Sequence, residues 1–375
     1  MHDPVAGTAA PRLTVGFSAF LDVVRITAAL TVFLSHFGLQ AVSHSIFYVF
    51  DDFSHSAVMA FFVLSGYVIA YVTERRERDG LSYAISRFCR IYSVVVPAIV
   101  LTVVLDLAGR ALNPELYAGF SYFGTRGGPF QVASSLFFLN ESWPAPTSLF
   151  SNTAFWSLNN EVWYYVFFGI VFFVPGRWPK CALVLLLIPF IAERIYLLAP
   201  VWLLGVGVRR LEPSCAWPGS WSWFILVASA AAILAGDWGL HSGWLAAHVP
   251  WLPPLLDSRV PVWDYLTGLL VAVGFLAGAR LTRAWVPPGW ALAAIRWLAG
   301  MTFSIYLFHR PLLLFLTAAL PGEVTDNVRR AAILLISAAT LVALSYASER
   351  QKDRLKAAVL RLIASPRHER TKVAS

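Results

Sequence analysis

The sequence predicts an all-α, polytopic transmembrane bundle of about ten spans with both termini on the cytoplasmic side. Three observations carry that expectation. Hydrophobic residues make up 58% of the 375 positions and charged residues 13%, about half the charge of an ordinary soluble domain. The apolar runs are far longer than a strand and lack period-two alternation, which selects helices over a barrel, because a lone helix satisfies its own backbone in lipid. Arg and Lys gather at alternate ends of those runs and so set the orientation.

Taken in order, the spans are expected near 16–38, 55–73, 91–109, 154–174, 181–197, 199–208, 221–237, 262–279, 291–319 and 328–348. The first run reads as a retained span and not a cleaved signal peptide, since it is too long, holds Arg25 and His36, and has no small-x-small site after it. Pro189, Glu193, Arg194 and Pro200 interrupt the fifth and sixth, so that tract reads either as a short pair or as a re-entrant element. The largest outer loop runs from Arg110 to about Thr153; it carries Pro129, Pro144 and Pro146, and its apolar stretch FQVASSLFFLN is too short to span. After Glu349 the chain mixes cations with Leu355, Val359, Leu362 and Ile363 at helical spacing, the pattern of a helix lying on an anionic leaflet. The expected organisation is a transmembrane domain over 1–349 and a basic cytoplasmic tail over 350–375.

The net charge of +8 follows from topology and does not point to nucleic acid. Arg75, Arg76, Arg78, Arg87, Arg90, Arg177, Lys180, Arg209, Arg210, Arg280 and Arg283 fall on the terminal side, against Arg110, Arg126, Arg259, Arg329 and Arg330 opposite. Cys89, Cys181 and Cys215 are odd in number and scattered, which indicates free thiols and no metal site.

Four constellations carry chemistry. In RITAALTVFLSH, Arg25 and His36 are eleven residues apart, so they return to within roughly 20° of one direction and stand roughly 16 Å apart along the axis. Charges inside a bilayer are costly and mark function by default; the plainer readings are an Arg25–Asp22 ion pair and an interfacial His36. In WSLNNEVWYY, a helix starting near Ser157 as N-cap places Ser157, Glu161, Tyr164 and Tyr165 on one face, with Glu161 at about the depth of His36. A carboxylate beside an imidazole is the orienter-plus-base arrangement of acyl transfer; the plainer reading makes Glu161 a helix-end charge among interfacial aromatics. In SRFCR, Arg87 and Arg90 can grip phosphate from one helix face, or serve as ordinary positive flanking. In TFSIYLFHRP, Ser304, Tyr306 and His309 sit in an apolar helix that Pro311 is expected to break, as a packing site or a substrate contact.

These residues resemble the acyltransferase-3 family of integral membrane acyltransferases, which modify sugars and other acceptors at bacterial envelopes. The resemblance covers nearly the whole chain: Arg25 and His36 match its Arg-x10-His signature, FFVLSGY its FFxxSG-type second span, RFCR its Arg-x-x-Arg, WSLNNEVWYY its Trp-Ser-Leu-x-x-Glu motif and TFSIYLFH its late motif. It implies His36 as general base or transient acyl carrier, Arg25 and Glu161 as supports, and Arg87 and Arg90 as holders of the phosphates of cytoplasmic acyl-CoA. Ser157, Tyr165, Ser304, Tyr306 and His309 are candidate substrate contacts. No permanently bound cofactor is expected; the donor substrate is acyl-CoA, acetyl-CoA first, and the other partners are the lipid bilayer and a carbohydrate acceptor.

Two departures stand out. HSAVMA precedes FFVLSGY where many members have a Gly and an acidic residue, leaving His55, Asp51 and Asp52 as substitutes; and Thr302 and Phe303 replace the commoner Ser and Tyr. The expected activity is an O-acyltransferase of the bacterial inner membrane acting on an envelope or exported carbohydrate. Its alternatives are a proton-coupled transporter or flippase with Arg25, His36 and Glu161 along the path, and an acyltransferase for a small secondary metabolite. With no hydrolase-like outer domain recognisable, transfer is completed within the membrane domain or handed to a separate extracytoplasmic partner.

Overall fold

The computed structural model describes residues 12–77, 79–118, 127–142, 147–215, 217–256 and 261–364. Arg78, Arg126, Pro144, Pro146, Arg259 and the end of the basic tail lie outside the described residues. The elements in chain order are α1 (Val15–Gly38), α2 (Asp51–Arg76), α3 (Gly80–Leu112), α4 (Pro114–Ala118), α5 (Gly128–Leu136), α6 (Phe155–Phe173), α7 (Arg177–Leu187) and α8 (Glu193–Leu211). They continue with α9 (Gly219–His241), α10 (Trp244–His248), α11 (Leu252–Leu256), α12 (Val262–Leu281), α13 (Gly289–Ala299), α14 (Thr302–Ala319), α15 (Asn327–Ala347) and α16 (Lys352–Ala364).

The all-α prediction holds for the described residues, which form no strand. Among the described residues, seven helical stretches are long and apolar enough to cross a membrane: α1, α2, α3, α9, α12, α14 and the run from α15 into the tail. α6 and α8, each 19 residues, take the places expected for the fourth and sixth spans but carry Asn159, Asn160 and Glu161, or Glu193, Arg194, Arg209 and Arg210.

The structure corrects three expected boundaries. The tract around Pro189 divides unevenly: α7 stops at Leu187, a 3-10 turn holds Pro189, and α8 begins at Glu193. The expected ninth span is two helices, because Gly300 follows the end of α13 and a new helix starts at Thr302. Within that new helix Pro311 is an interior residue and not a break. Proline removes the bond that residue 311 would donate to the Leu307 carbonyl, and the side-chain amide of Asn152 donates to that carbonyl instead, at 2.8 Å. The helix therefore runs on to Ala319.

The chain divides into two compact units, one of 1–31, 52–78 and 196–299, the other of 32–51, 79–195 and 300–375. In the first, α9 packs along α12, and α2 meets α8 at glycines. A Cβ on Gly66 would stand 2.0 Å from the Trp202 carbonyl oxygen, and one on Gly205 would stand 1.9 Å from that of Val63, so the two backbones touch directly as small residues permit. Polar stitches reinforce this unit. The Asp237 carboxylate accepts from Ser56 Oγ and Trp263 Nε1 at 2.8 and 2.7 Å, and His55 Nε2 lies 2.9 Å from Asp264. Arg209, 3% exposed along its side chain, pairs with Glu74 and Glu212 at 2.9 and 3.4 Å. A cation that reads in sequence as orientation flanking is here a buried cross-link.

In the second unit α14 lies against α3 and α15, and its residues Leu307, Phe308 and His309 have no exposure at all. Two arginines at the start of α15 bind backbone oxygens only in part of their reach: Arg329 donates to Leu320, Val42 and Thr317 carbonyls, and Arg330 to those of Ser43, His44 and Val324. α16 forms as the tail's spacing predicts and packs on α3, where Lys356 Nζ donates to Ser86 Oγ at 2.8 Å.

Candidate functional site

The site is built in the second unit around the last turns of α1. His36 Nδ1 lies 2.6 Å from His309 Nε2, and the two rings are 12° from parallel with centroids 4.9 Å apart. Two ring radii plus that bond account for the separation, so the imidazoles meet edge to edge in nearly one plane and are not stacked. His309 Nδ1 in turn lies 3.0 Å from the Ile305 carbonyl, and the Arg310 guanidinium lies 3.2 Å from His36 Nε2. His36, Arg310, Leu39, Gln40, Ala41, Val42, Leu313 and Leu314 line a cavity of about 310 Å³, mostly apolar.

Behind Arg310 stands Asp106 of α3, 1% exposed and within electrostatic reach of it. Its carboxylate accepts from the Ser151 backbone N–H at 2.9 Å and the Ser151 hydroxyl at 2.8 Å, so a buried carboxylate has both donors and a cation, as burial requires. Next to Ser151, Asn152 holds Thr102 Oγ1 and the Leu307 carbonyl. Replacing Asn152 with Ala leaves that carbonyl buried and unpaired, and is expected to cost about 1–3 kcal/mol, read as a lower unfolding midpoint in detergent. An unchanged midpoint would show that Pro311 needs no such partner.

On the other side of His309, its ring lies 6.3 Å from that of Tyr306, whose hydroxyl is 2.6 Å from Ser157 Oγ. Tyr306 feels the charge of Glu161, and Glu161 accepts a short hydrogen bond from the Tyr165 hydroxyl. Arg90 sits in the combined field of Glu161, Tyr165 and Glu349. Glu349 accepts from the backbone N–H and hydroxyl of Ser304 at 3.0 and 3.1 Å. A string of polar groups thus passes through an apolar interior from Arg90 to His36.

A family model described as an acyltransferase domain matches residues 18–348. The chain belongs to the acyltransferase-3 family. It is a multi-pass membrane acyltransferase. No curated protein and no solved structure matches it.

Several expected site residues of the acyltransferase come together in this string. Glu161, Ser157, Tyr165, Ser304, Tyr306, His309 and Arg90 all belong to it; Arg87, 7% exposed, lies beside it with its guanidinium 5.3 Å from the centre of the Tyr83 ring. Arg25 is in the first unit, 3.9 Å from Asp22, whose closer partner is Arg296; the plainer ion-pair reading therefore describes part of its surroundings. Ser157 is not the N-cap: α6 starts at Phe155, and the Ser157 hydroxyl bonds the Ala154 carbonyl and Tyr306 from within the first turn. The ring of His36 is bonded by His309 and Arg310, whereas Glu161 accepts from Tyr165. Asp51 accepts from Ser35 at 2.9 Å and His55 pairs with Asp264, so both have local work of their own.

Asp106, Arg310 and Asn152 escape the sequence reading. Two signals were available beforehand, the carboxylate of Asp106 inside VLTVVLDLAG and the cation of Arg310 inside TFSIYLFHRP, since a charge in a membrane span is a functional marker by default.

Proposed function

We propose that this acyltransferase moves a short acyl group, acetyl, from cytoplasmic acyl-CoA to a hydroxyl of a cell-envelope or exported carbohydrate at a bacterial inner membrane. The observation that carries the reading is the polar string from Arg90 to His36, ending at a cavity. A donor whose thioester must travel from a charged head to a buried base needs such a route: cations at one end for phosphate, hydrogen-bonding groups along it, and a base where acceptor and acyl carbon meet.

In this reading Arg87 and Arg90 hold the phosphates of the donor. Asn159 and Asn160 lie alongside on α6, 0% exposed, and their side-chain amides have no hydrogen-bond partner among the described residues. Buried amides of that kind cost about 1–3 kcal/mol each until paired, and the amide groups of a pantetheine arm are suitable partners. Ser157, Tyr165, Ser304 and Tyr306 border the arm. His36 takes the proton of the acceptor hydroxyl, or carries the acyl group briefly, and Arg310 offers N–H groups to the oxygen that becomes negative at the acyl carbon. Glu161 holds Tyr165 and Arg90 in place. Arg25, on the same face of α1 and roughly 16 Å along it from His36, stabilises charge on the donor before it reaches the base.

The test feeds radiolabelled acetyl-CoA to membranes containing the protein and follows both thiol release and label in glycans that mild base removes. Both are expected. Thiol release without glycan label would overturn the carbohydrate acceptor, and no release would overturn the donor. Substituting Glu for Arg87 and Arg90 together is expected to raise the KM for acetyl-CoA at least about tenfold with kcat less affected; an unchanged KM would return these arginines to simple orientation signals.

A further inference from the structure

The hydrogen bonds around His36 decide where its hydrogen is. A backbone carbonyl only accepts, so the 3.0 Å contact to Ile305 requires His309 to carry its hydrogen on Nδ1. In the neutral ring Nε2 is then bare and accepts. The 2.6 Å contact therefore requires His36 to donate from its own Nδ1, which leaves the lone pair of His36 on Nε2. That nitrogen receives Arg310 at 3.2 Å and belongs to the residue lining the cavity. One carbonyl on α14 thus sets two imidazoles in series and aims the lone pair of the first.

From this chain we propose that His309 is a positioning residue and proton relay for His36, in place of the substrate contact its motif suggested. The inference rests on the proposed role of His36 as base or acyl carrier and assigns what stands behind it. As the acceptor hydroxyl attacks the thioester, the new C–O bond forms and the C–S bond breaks. Arg310 turns its N–H from His36 Nε2 to the oxygen that becomes negative, the hydroxyl proton passes to the freed Nε2, and the Nδ1 proton passes to His309 Nε2. His309 then holds two N–H groups, one toward Ile305 and one toward His36. The reverse shift returns a proton through His36 Nε2 to the departing thiolate, which leaves as a thiol.

Two physical arguments favour this arrangement. Arg310 is a fixed cation beside His36 Nε2, and like charges repel strongly in a low-dielectric interior; the relay moves the new positive charge off the ring that Arg310 touches. The shape of the pair also places an acceptor in line with His36 Nδ1, since the imidazoles meet in one plane through their nitrogens.

The test compares His309→Phe, which keeps a ring without an acceptor, with His309→Gln, whose amide oxygen can accept from His36 Nδ1. Thiol release from acetyl-CoA is measured in membranes after insertion of each variant is verified. His309→Phe is expected to lower kcat about 100-fold with the KM for acetyl-CoA nearly unchanged, and His309→Gln, which orients His36 but cannot take its proton, to recover only part of it. Should the Phe variant fail to insert, His309→Ala carries the decision: added imidazole is expected to restore its kcat, and benzene, which fills the same space without an acceptor, is not. Full activity of His309→Phe, full recovery in the Gln variant, or equal rescue by benzene and imidazole would each overturn the relay. His36→Ala, run in parallel, separates the outcomes: if it keeps parent activity, the role of His36 itself is wrong, whereas an inactive His36→Ala beside fully active His309 variants overturns the relay alone.

Discussion

Replacing His36 with Ala is expected to lower the turnover of acetyl-CoA by about 1,000-fold while the protein still inserts and the KM for the donor changes little. A positioned base contributes about 100- to 10,000-fold, and a residue that also carries the acyl group contributes no less. The KM is expected to hold because the donor's phosphates are assigned to Arg87 and Arg90, on a different helix from His36. Insertion is expected to survive because His36 is only partly buried and borders a cavity, with a somewhat lower unfolding midpoint because His309 Nε2 loses its donor. The deciding measurement is thiol release at saturating acetyl-CoA, normalised to inserted protein. Parent-like turnover in His36→Ala would remove the base from the mechanism, and a raised KM at constant kcat would make His36 a binding residue.

The second large effect concerns architecture. Gly205→Ala is expected to destabilise the protein by about 2–3 kcal/mol or to prevent its accumulation, since the added methyl meets the Val63 carbonyl at 1.9 Å. That neighbour is backbone and cannot rotate away, which puts the change among the harsher overpacking substitutions. Gly207, two residues on in the same helix, is the matched control. A Cβ there meets nothing within 4 Å, and Ala in place of Gly in a helix interior is favourable by about 0.5–1 kcal/mol. Unfolding midpoints of the two variants in one detergent should move in opposite directions. Equal midpoints would mean that α2 and α8 are not in direct backbone contact at these glycines.

The bundle was legible in sequence because its signal is additive over about 20 residues at a time: runs such as VVVPAIVLTVVL announce α3 without any knowledge of partners. The helical reading of the tail and the i, i+4 contact of Glu161 with Tyr165 were legible for the same reason, being local. What was hidden is what depends on distant partners. His36 and His309 are 273 residues apart in sequence, and nothing in either stretch says that one ring will face the other. Pro311 looks like a break because the rule describes a helix alone, and Asn152, on the loop before α6, supplies the missing donor. Ser157 looks like a cap because its hydroxyl can serve one, and the helix instead begins two residues earlier and points that hydroxyl at Tyr306.

The guanidinium groups of Arg329 and Arg330 have a bearing on how the enzyme responds to its surroundings. They tie the peptide oxygens of Val42, Ser43 and His44, just past α1, to those of Thr317, Leu320 and Val324, at and just beyond the end of α14, and Val42 is part of the cavity wall. Peptide oxygens neither titrate nor exchange counterions in the working range of an enzyme. These ties are therefore indifferent to acidity, and a pH dependence of turnover is expected to originate among the imidazoles and carboxylates of the polar string.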